Sequence, residues 1–322
     1  MSVHWKLLLC LALLFAAIAS LVFPMGGLAE LWRSDPKLLG VILTEVRLPR
    51  VLLGLLYGAM LGGSGAAIQA LFANPLASPD ITGTTGGAAL GAVVAAYFAG
   101  FTGPLGLAVG GVTGAALALM LLLGLAGRHS DSATMLLAGI AISAIAGAAT
   151  ALALALAPSP FAFYEAYDWL MGSLVDRSLA QAGMVAAPVL ATLLFLHSRS
   201  RAFDTLALGD VAAESMGYPV ARLRREVVIA TAIGVGMAVA VCGAVGFIGL
   251  VAPIFARRLV RAHPGRAILP AAIIGAMLLT LADVLVRFAP AGRQFPIGVI
   301  TALLGAPFFL ALVLKMRLEW RS

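Results

Sequence analysis

Ile81–Gly127, ITGTTGGAALGAVVAAYFAGFTGPLGLAVGGVTGAALALMLLLGLAG, contains no acidic or basic side chain. A helix needs about 20 apolar residues to cross the hydrocarbon core of a bilayer. This run is therefore long enough to cross twice, and Phe101–Pro104 marks its division. Lipid offers the backbone no hydrogen-bond partners, which leaves helices or a closed barrel. The run lacks the alternating pattern of barrel strands, so helices are expected.

The same reading extends outward. Leu7–Ala29, Val51–Pro79, Ser132–Tyr164, Ser178–Ser198, Val227–Ala256 and Gln294–Leu314 are also free of charge. Of the 322 residues, 62% are hydrophobic and 11% charged, with a mean hydropathy of +1.05, so most of the chain is solvated by lipid. Proline, glycine and charge punctuation divides it into ten spans, near 6–29, 49–72, 83–100, 104–126, 133–157, 179–198, 226–245, 247–261, 267–288 and 298–315. The expectation is one all-α, polytopic transmembrane domain over residues 1–322. An N-terminal stretch with Lys6 ahead of apolar residues resembles a signal peptide, but its length to Pro24 favours a retained first span.

The net charge of +7 does not point to nucleic acid, because the basic residues sit in short clusters between apolar runs. There they set topology. With an even number of spans, two thirds of the Lys and Arg fall on the side of Lys6, which places both termini in the cytoplasm. Trp5, Trp32, Trp169 and Trp320 fall near span ends, as interfacial anchors do. Cys10 and Cys242 lie inside apolar runs with no metal-ligand spacing, as small core residues.

Gly54, Gly58 and Gly62 repeat every four residues, as do Gly83, Gly87 and Gly91, and Gly106, Gly110 and Gly114. Such spacing lets helices approach closely. Ser64-Gly65-Ala66 with Pro75-Leu76 is echoed by Cys242-Gly243-Ala244 with Pro253-Ile254. Five spans separate the two, so the related segments would run in opposite directions, as in inverted-repeat transporters.

Catalytic and metal sites are not expected. Gly62-Gly63-Ser64-Gly65 matches the G-x-S-G pattern of intramembrane serine proteases, but His4, His129, His197 and His263 all fall at span ends, away from Ser64. A gradient-driven carrier or channel is the alternative class, and it would hold ionisable groups at mid-membrane depth. The only acid well inside an apolar stretch is Asp283, with Arg287 one turn later as an i,i+4 partner. Lys6, Lys37 and Lys315 sit in no phosphate-binding loop, so ATP hydrolysis belongs to another subunit. Arg199–Arg225, the longest cytoplasmic segment, is the place to look for that subunit, as a docking shape or as an ordinary amphipathic interface helix. It reads as short helical pieces broken at Gly209 and Gly217, with Asp210 as N-cap and Glu214 one turn on.

Five motifs then occur in order: Arg47-Leu48-Pro49-Arg50, Asn74-Pro75-Leu76-Ala77-Ser78-Pro79-Asp80, Leu206-Ala207-Leu208-Gly209-Asp210, Gly246-Phe247-Ile248-Gly249-Leu250-Val251-Ala252-Pro253, and Pro296-Ile297-Gly298 through Gly305-Ala306-Pro307. Together they resemble the FecCD-type permeases of iron-siderophore, haem and cobalamin importers, over residues 47–317. The resemblance implies a permease in the bacterial inner membrane that carries an iron chelate, ferric siderophore foremost, with haem or cobalamin as further cargoes. Its implied partners are a second permease protomer, as a homodimer or with a sister permease, two cytoplasmic ATPase subunits holding ATP and Mg, and a periplasmic binding protein. No cofactor is implied on this chain itself.

The resemblance also implies roles for particular residues. Leu208, Gly209, Asp210, Glu214 and Gly217 would couple to the ATPase. Gly139, Ser143, Gly147 and Thr150 of the fifth span would line the translocation path. Arg47, Arg50 and Arg287 would receive glutamates of the binding protein, a task suited to the planar guanidinium. Two departures from the family pattern are Ile254 in place of a common His and Ile81-Thr82-Gly83-Thr84-Thr85-Gly86-Gly87 in place of L-G-x-S-x-G-A.

Overall fold

The computed structural model describes residues 4–101, 103–126, 132–288 and 295–319, so Arg128, His129, Arg293 and Trp320 lie outside the described residues. Its helices are α1 (His4–Val22), α2 (Gly26–Ser34), α3 (Pro36–Val41), α4 (Leu48–Leu71), α5 (Thr84–Phe98), α6 (Pro104–Ala126), α7 (Ser132–Ala155) and α8 (Pro160–Leu170). There follow α9 (Leu179–Ser198), α10 (Ser200–Leu206), α11 (Asp210–Ser215), α12 (Val220–Cys242), α13 (Ile248–Leu259), α14 (Pro264–Val286) and α15 (Ile297–Glu319). No strand occurs among the described residues.

Each of the ten expected spans coincides with one of these helices. Among the described residues, seven helical segments are long and apolar enough to cross a membrane, and α5 and Ile297–Ala311 are shorter apolar helices. At about 1.5 Å per residue, the 12-residue α13 is too short to cross by itself.

Two short spans follow breaks in the helical backbone. Gly83, at φ +79°, starts α5, and Phe247, at φ +66°, starts α13. A long helix, a break and a short helix thus occur in α4–α5 and again in α12–α13. The sequence echo does not coincide with this repeat. Ser64-Gly65-Ala66 lies in mid-α4, whereas Cys242-Gly243-Ala244 ends α12 and enters the break.

Contacts define two faces. Trp5 packs into the cluster containing Phe203, and Asp204 of α10 accepts a hydrogen bond from Gly265 N at 2.9 Å. The starts of α1 and α14 therefore share a proximal face with α10. At the distal face, Arg47 and Arg287 both reach the carbonyls that end α1.

The expected close helix approaches are present, and one of them joins two of the glycine repeats. α4 packs most extensively on α14, and a Cβ at Gly58 or Gly62 would collide with the Gly275 or Ala271 carbonyl. In the α5–α6 pair, Gly87 and Gly91 face Gly110 and Gly114 backbone to backbone. These glycines act as packing surfaces in a medium where helix association rests on close contact.

Besides α10 and α11, which form the short pieces expected in 199–225, three further helices extend beyond the expected spans among the described residues. The first span ends at Val22, earlier than the expected 29, so α2 takes in the end of that expected span and, with α3, the connector after it, while α8 occupies the partly polar segment after the fifth span. Ile42–Arg47 is a π-helical turn that joins α3 to α4, with Leu48 N donating to Leu43 O five residues back. The local signals were present. Asp35 caps α3 through Lys37 N and Leu38 N with Pro36 at the first turn, and Ser159-Pro160 does the same for α8.

Candidate functional site

The proximal site is the α10–α11 pair. Phe203, Leu206 and Ala213 are buried and anchor it, while Leu208, Val211 and Met216 are 68%, 80% and 61% exposed. The anchoring extends to α14: Asp204 holds Gly265 N, and a Cβ on Gly265 would strike the Ser200 carbonyl. A fixed base thus presents an apolar tip.

Glycines shape that tip, as expected. Gly209 has φ +99° and ψ 158°, a region open essentially only to glycine. Gly217 has φ +86°, and Tyr218 N reaches back to Ala213 O at 3.0 Å in a Schellman-type helix end. Asp210 is not the N-cap, however. Gly209 holds that position, and Asp210 opens α11 with its carboxylate on Arg224 at 2.7 Å. Glu214 is exposed on the same helix. The expected segment 199–225 also ends early in structural terms, because α12 begins at Val220 and takes in Arg222, Arg224 and Arg225.

The distal site brings Arg47, Arg50 and Arg287 together. Asp283, 2% exposed, accepts from Arg50 Nε at 2.6 Å through one oxygen and from Arg287 Nη2 at 2.6 Å through the other. Arg287 also donates to the Ser20 carbonyl and, at 2.8 Å, to the Ser20 hydroxyl. Arg47 donates to Leu21 O at 2.7 Å and Pro24 O at 3.1 Å. The carbonyls left over at the end of α1 are thereby satisfied by cations, which also suit the negative end of its dipole. Two guanidiniums bind the one carboxylate and the third, Arg47, holds only main-chain carbonyls beside them, leaving the cluster positively charged.

The i,i+4 pairing of Asp283 with Arg287 was expected. The second partner, Arg50, was not, because it lies 233 residues away. This pairing removes Asp283 as an unattached intramembrane acid.

On α7, Gly139 is buried and Ser143 donates to the Asp80 carbonyl at 2.9 Å. Gly147 is exposed with no neighbouring group in reach of a Cβ, and Thr150 donates to its own helix at Ala146 O. These four residues do not converge on one point within the chain. The exposed side chains of Leu137, Ile145 and Leu152 make the outer face of this helix apolar.

Ser64 is fully buried and donates to Met60 O at 2.5 Å, as a packed helical serine and not a nucleophile. Cys242 is buried but Cys10 is exposed on α1, so only the first is a core residue. Of the departing threonines, Thr82 donates to the Pro79 carbonyl at 2.6 Å, and the Thr84 hydroxyl lies 3.0 Å from that of Thr82 and 3.3 Å from the same carbonyl. Ile254 is buried at 9% exposure. The Gly246-Phe247 and Gly305 motifs meet in space: a Cβ on Gly305 would enter the Phe247 side chain.

The chain is thus all-helical and polytopic, with an anchored apolar tip on one face and an arginine cluster on the other. The chain belongs to the FecCD transport family, which matches residues 6–315. It is 38% identical over 321 residues to the vitamin B12 import system permease proteins BtuC of Salmonella paratyphi A and Salmonella typhi, covering 98% of this chain and 96% of each relative. A solved structure described as an inward-facing conformation of a metal-chelate type ABC transporter superposes with a TM-score of 0.86 at 29% identity, over 95% of this chain and 97% of that one. PsaBC from Streptococcus pneumoniae in complex with Fab shares the fold, with a TM-score of 0.57 at 15% identity over 89% of this chain and 94% of that one. The protein is thus a multi-pass ABC importer permease of the metal-chelate and vitamin B12 type, a transport subunit and not an enzyme.

Proposed function

We propose that this single-domain permease moves an iron chelate, ferric siderophore foremost, from a periplasmic binding protein across the bacterial inner membrane. The proximal face is then cytoplasmic and both termini lie there, in keeping with the excess of basic residues on that side. A second permease protomer completes the path, which α7 lines through Gly139, Ser143, Gly147 and Thr150. Two ATPase subunits supply ATP and Mg and receive Leu208, Gly209, Asp210, Glu214 and Gly217.

The observation that carries this reading is the α10–α11 tip, with Leu208 and Val211 presented outward on a base fixed to α14. Exposed apolar side chains on a rigid support suit a partner's groove. The test is ATP-dependent uptake into vesicles containing the permease, its ATPase and its binding protein, offered ferric siderophore, haem and cobalamin in turn. Uptake of none of the three, with all components folded, would overturn it. A second cargo reading, cobalamin first, is favoured by the 38% identity to vitamin B12 permeases, and the same panel decides between them.

Docking of the binding protein is assigned to Arg47, Arg50 and Arg287. Of these, Arg47 makes no bond to Asp283 and contacts only main-chain carbonyls of the α1 end. Arg47→Glu therefore tests docking with the least damage to the cluster. Exposed ion pairs contribute about 0–1 kcal/mol each, so association is expected to weaken by up to about fivefold. A compensating Glu→Lys change on the binding protein should restore it, and unchanged affinity measured by surface binding would remove Arg47 from the docking surface.

A further inference from the structure

A cavity of about 470 Å³ opens at the distal face within the protomer, beneath α8. Val93, Ala96, Leu107 and Val241 form part of its apolar wall, and Trp169 of α8 contributes an aromatic ring. A mostly apolar concavity with a few polar groups is the usual form of a small-molecule site.

Most of the polar lining is already engaged. Tyr97 donates to Ala162 O at 2.6 Å, Ser173 Oγ accepts from Val175 N at 3.1 Å, and Gln181 completes the capping box with Ser178. Arg177 differs. Its Nε is buried without an acceptor, and no hydrogen bond or ion pair joins Arg177 to another described residue. Leaving a buried charged donor unpaired is costly. The first turn of the 20-residue α9, at Gln181, reaches the same wall and adds the positive end of its dipole.

Those two features attract an anion. Asp176, the next residue, is exposed, also lines the cavity and makes no ion pair with Arg177. A simple anion would meet its carboxylate, whereas a zwitterion would use both charges. We propose that the cavity binds a phosphoethanolamine group, supplied as the headgroup of a phospholipid in the distal leaflet. Its phosphate lies on Arg177 and the α9 N-terminus, its primary ammonium on Asp176 and the Trp169 ring, and its first methylenes along Val93, Leu107 and Val241. A cation over an aromatic face is a recognised mode for such amines.

The test uses the purified full chain, delipidated and then exposed to vesicles of equal phosphatidylethanolamine and phosphatidylglycerol, with retained lipid read by native mass spectrometry. The wild type is expected to retain phosphatidylethanolamine preferentially. Arg177→Gln should lower that retention by about tenfold, the loss of one charge-assisted hydrogen bond. Asp176→Asn should shift the preference toward phosphatidylglycerol. Ala96→Leu, which fills the apolar wall without touching either charge, should also reduce retention and covers the case in which Arg177→Gln fails to fold. Displacement by free phosphoethanolamine at matched concentration would support the headgroup chemistry and move its source to solution. Equal retention of both lipids by the wild type, or unchanged retention in folded Arg177→Gln and Ala96→Leu, would overturn the assignment.

Discussion

Vesicles carrying Gly209→Leu are expected to lose ATP-driven uptake while holding normal amounts of permease. No group lies within 4 Å of a Cβ at Gly209, so the substitution meets open space and leaves the core untouched. The backbone is what forbids it, because φ +99° with ψ 158° is essentially closed to side chains and costs about 1–3 kcal/mol. That strain lowers the population with the native turn by about 5- to 150-fold. The turn is what fixes Leu208 and Val211 on either side of it. Gly209→Ala should do nearly as much harm, since the conformation and not the bulk decides. Transport of the variant at the wild-type rate, with normal ATPase stimulation, would show that the tip does not transmit the stroke.

Asp283→Leu should be the most damaging single change to stability. The carboxylate is 2% exposed and faces two guanidiniums whose side chains are 14% and 8% exposed. Removing one member of a buried ionic group strands the others and costs about 3–5 kcal/mol. The end of α1 should loosen as well, because Arg287 would no longer be aimed at Ser20. Thermal unfolding in detergent micelles measures the loss. Combining Asp283→Leu with Arg287→Met should cost less than the sum of the two single changes, since each removes the other's burden. A melting temperature equal to that of the wild type would show that water or detergent satisfies the arginines.

How much of this was legible beforehand depended on the range of the interaction. The spans were readable because apolar run length is a local property, as Ile81–Gly127 illustrates. The breaks at Gly209 and Gly217 were readable because glycine marks left-handed backbone wherever it occurs at a helix end. The capping role expected of Asp210 failed for a related reason: Gly209 occupies the cap and turns the chain so that the carboxylate meets Arg224. Arg50 and Asp283 could not be paired by reading, since no periodicity links residues so far apart. α3 and α8 fall outside the expected spans although Asp35-Pro36 and Ser159-Pro160 announce them, because the polar residues around them read as connector.

The π-helical turn at Ile42–Arg47 has a consequence for how this chain tolerates changes in length. A turn that closes five residues back holds one residue more than an α-helical turn, so the faces of α3 and α4 are out of phase by that one position along the sequence. Loss of a single residue there, such as Thr44, would let ordinary four-back bonding close over the gap, with Arg47 and everything after it unmoved. The same loss inside α4 would rotate one end against the other by about 100° and turn Gly58 or Gly62 away from α14. The chain therefore carries one place where a deletion heals, immediately beside helices where a deletion scrambles the seam.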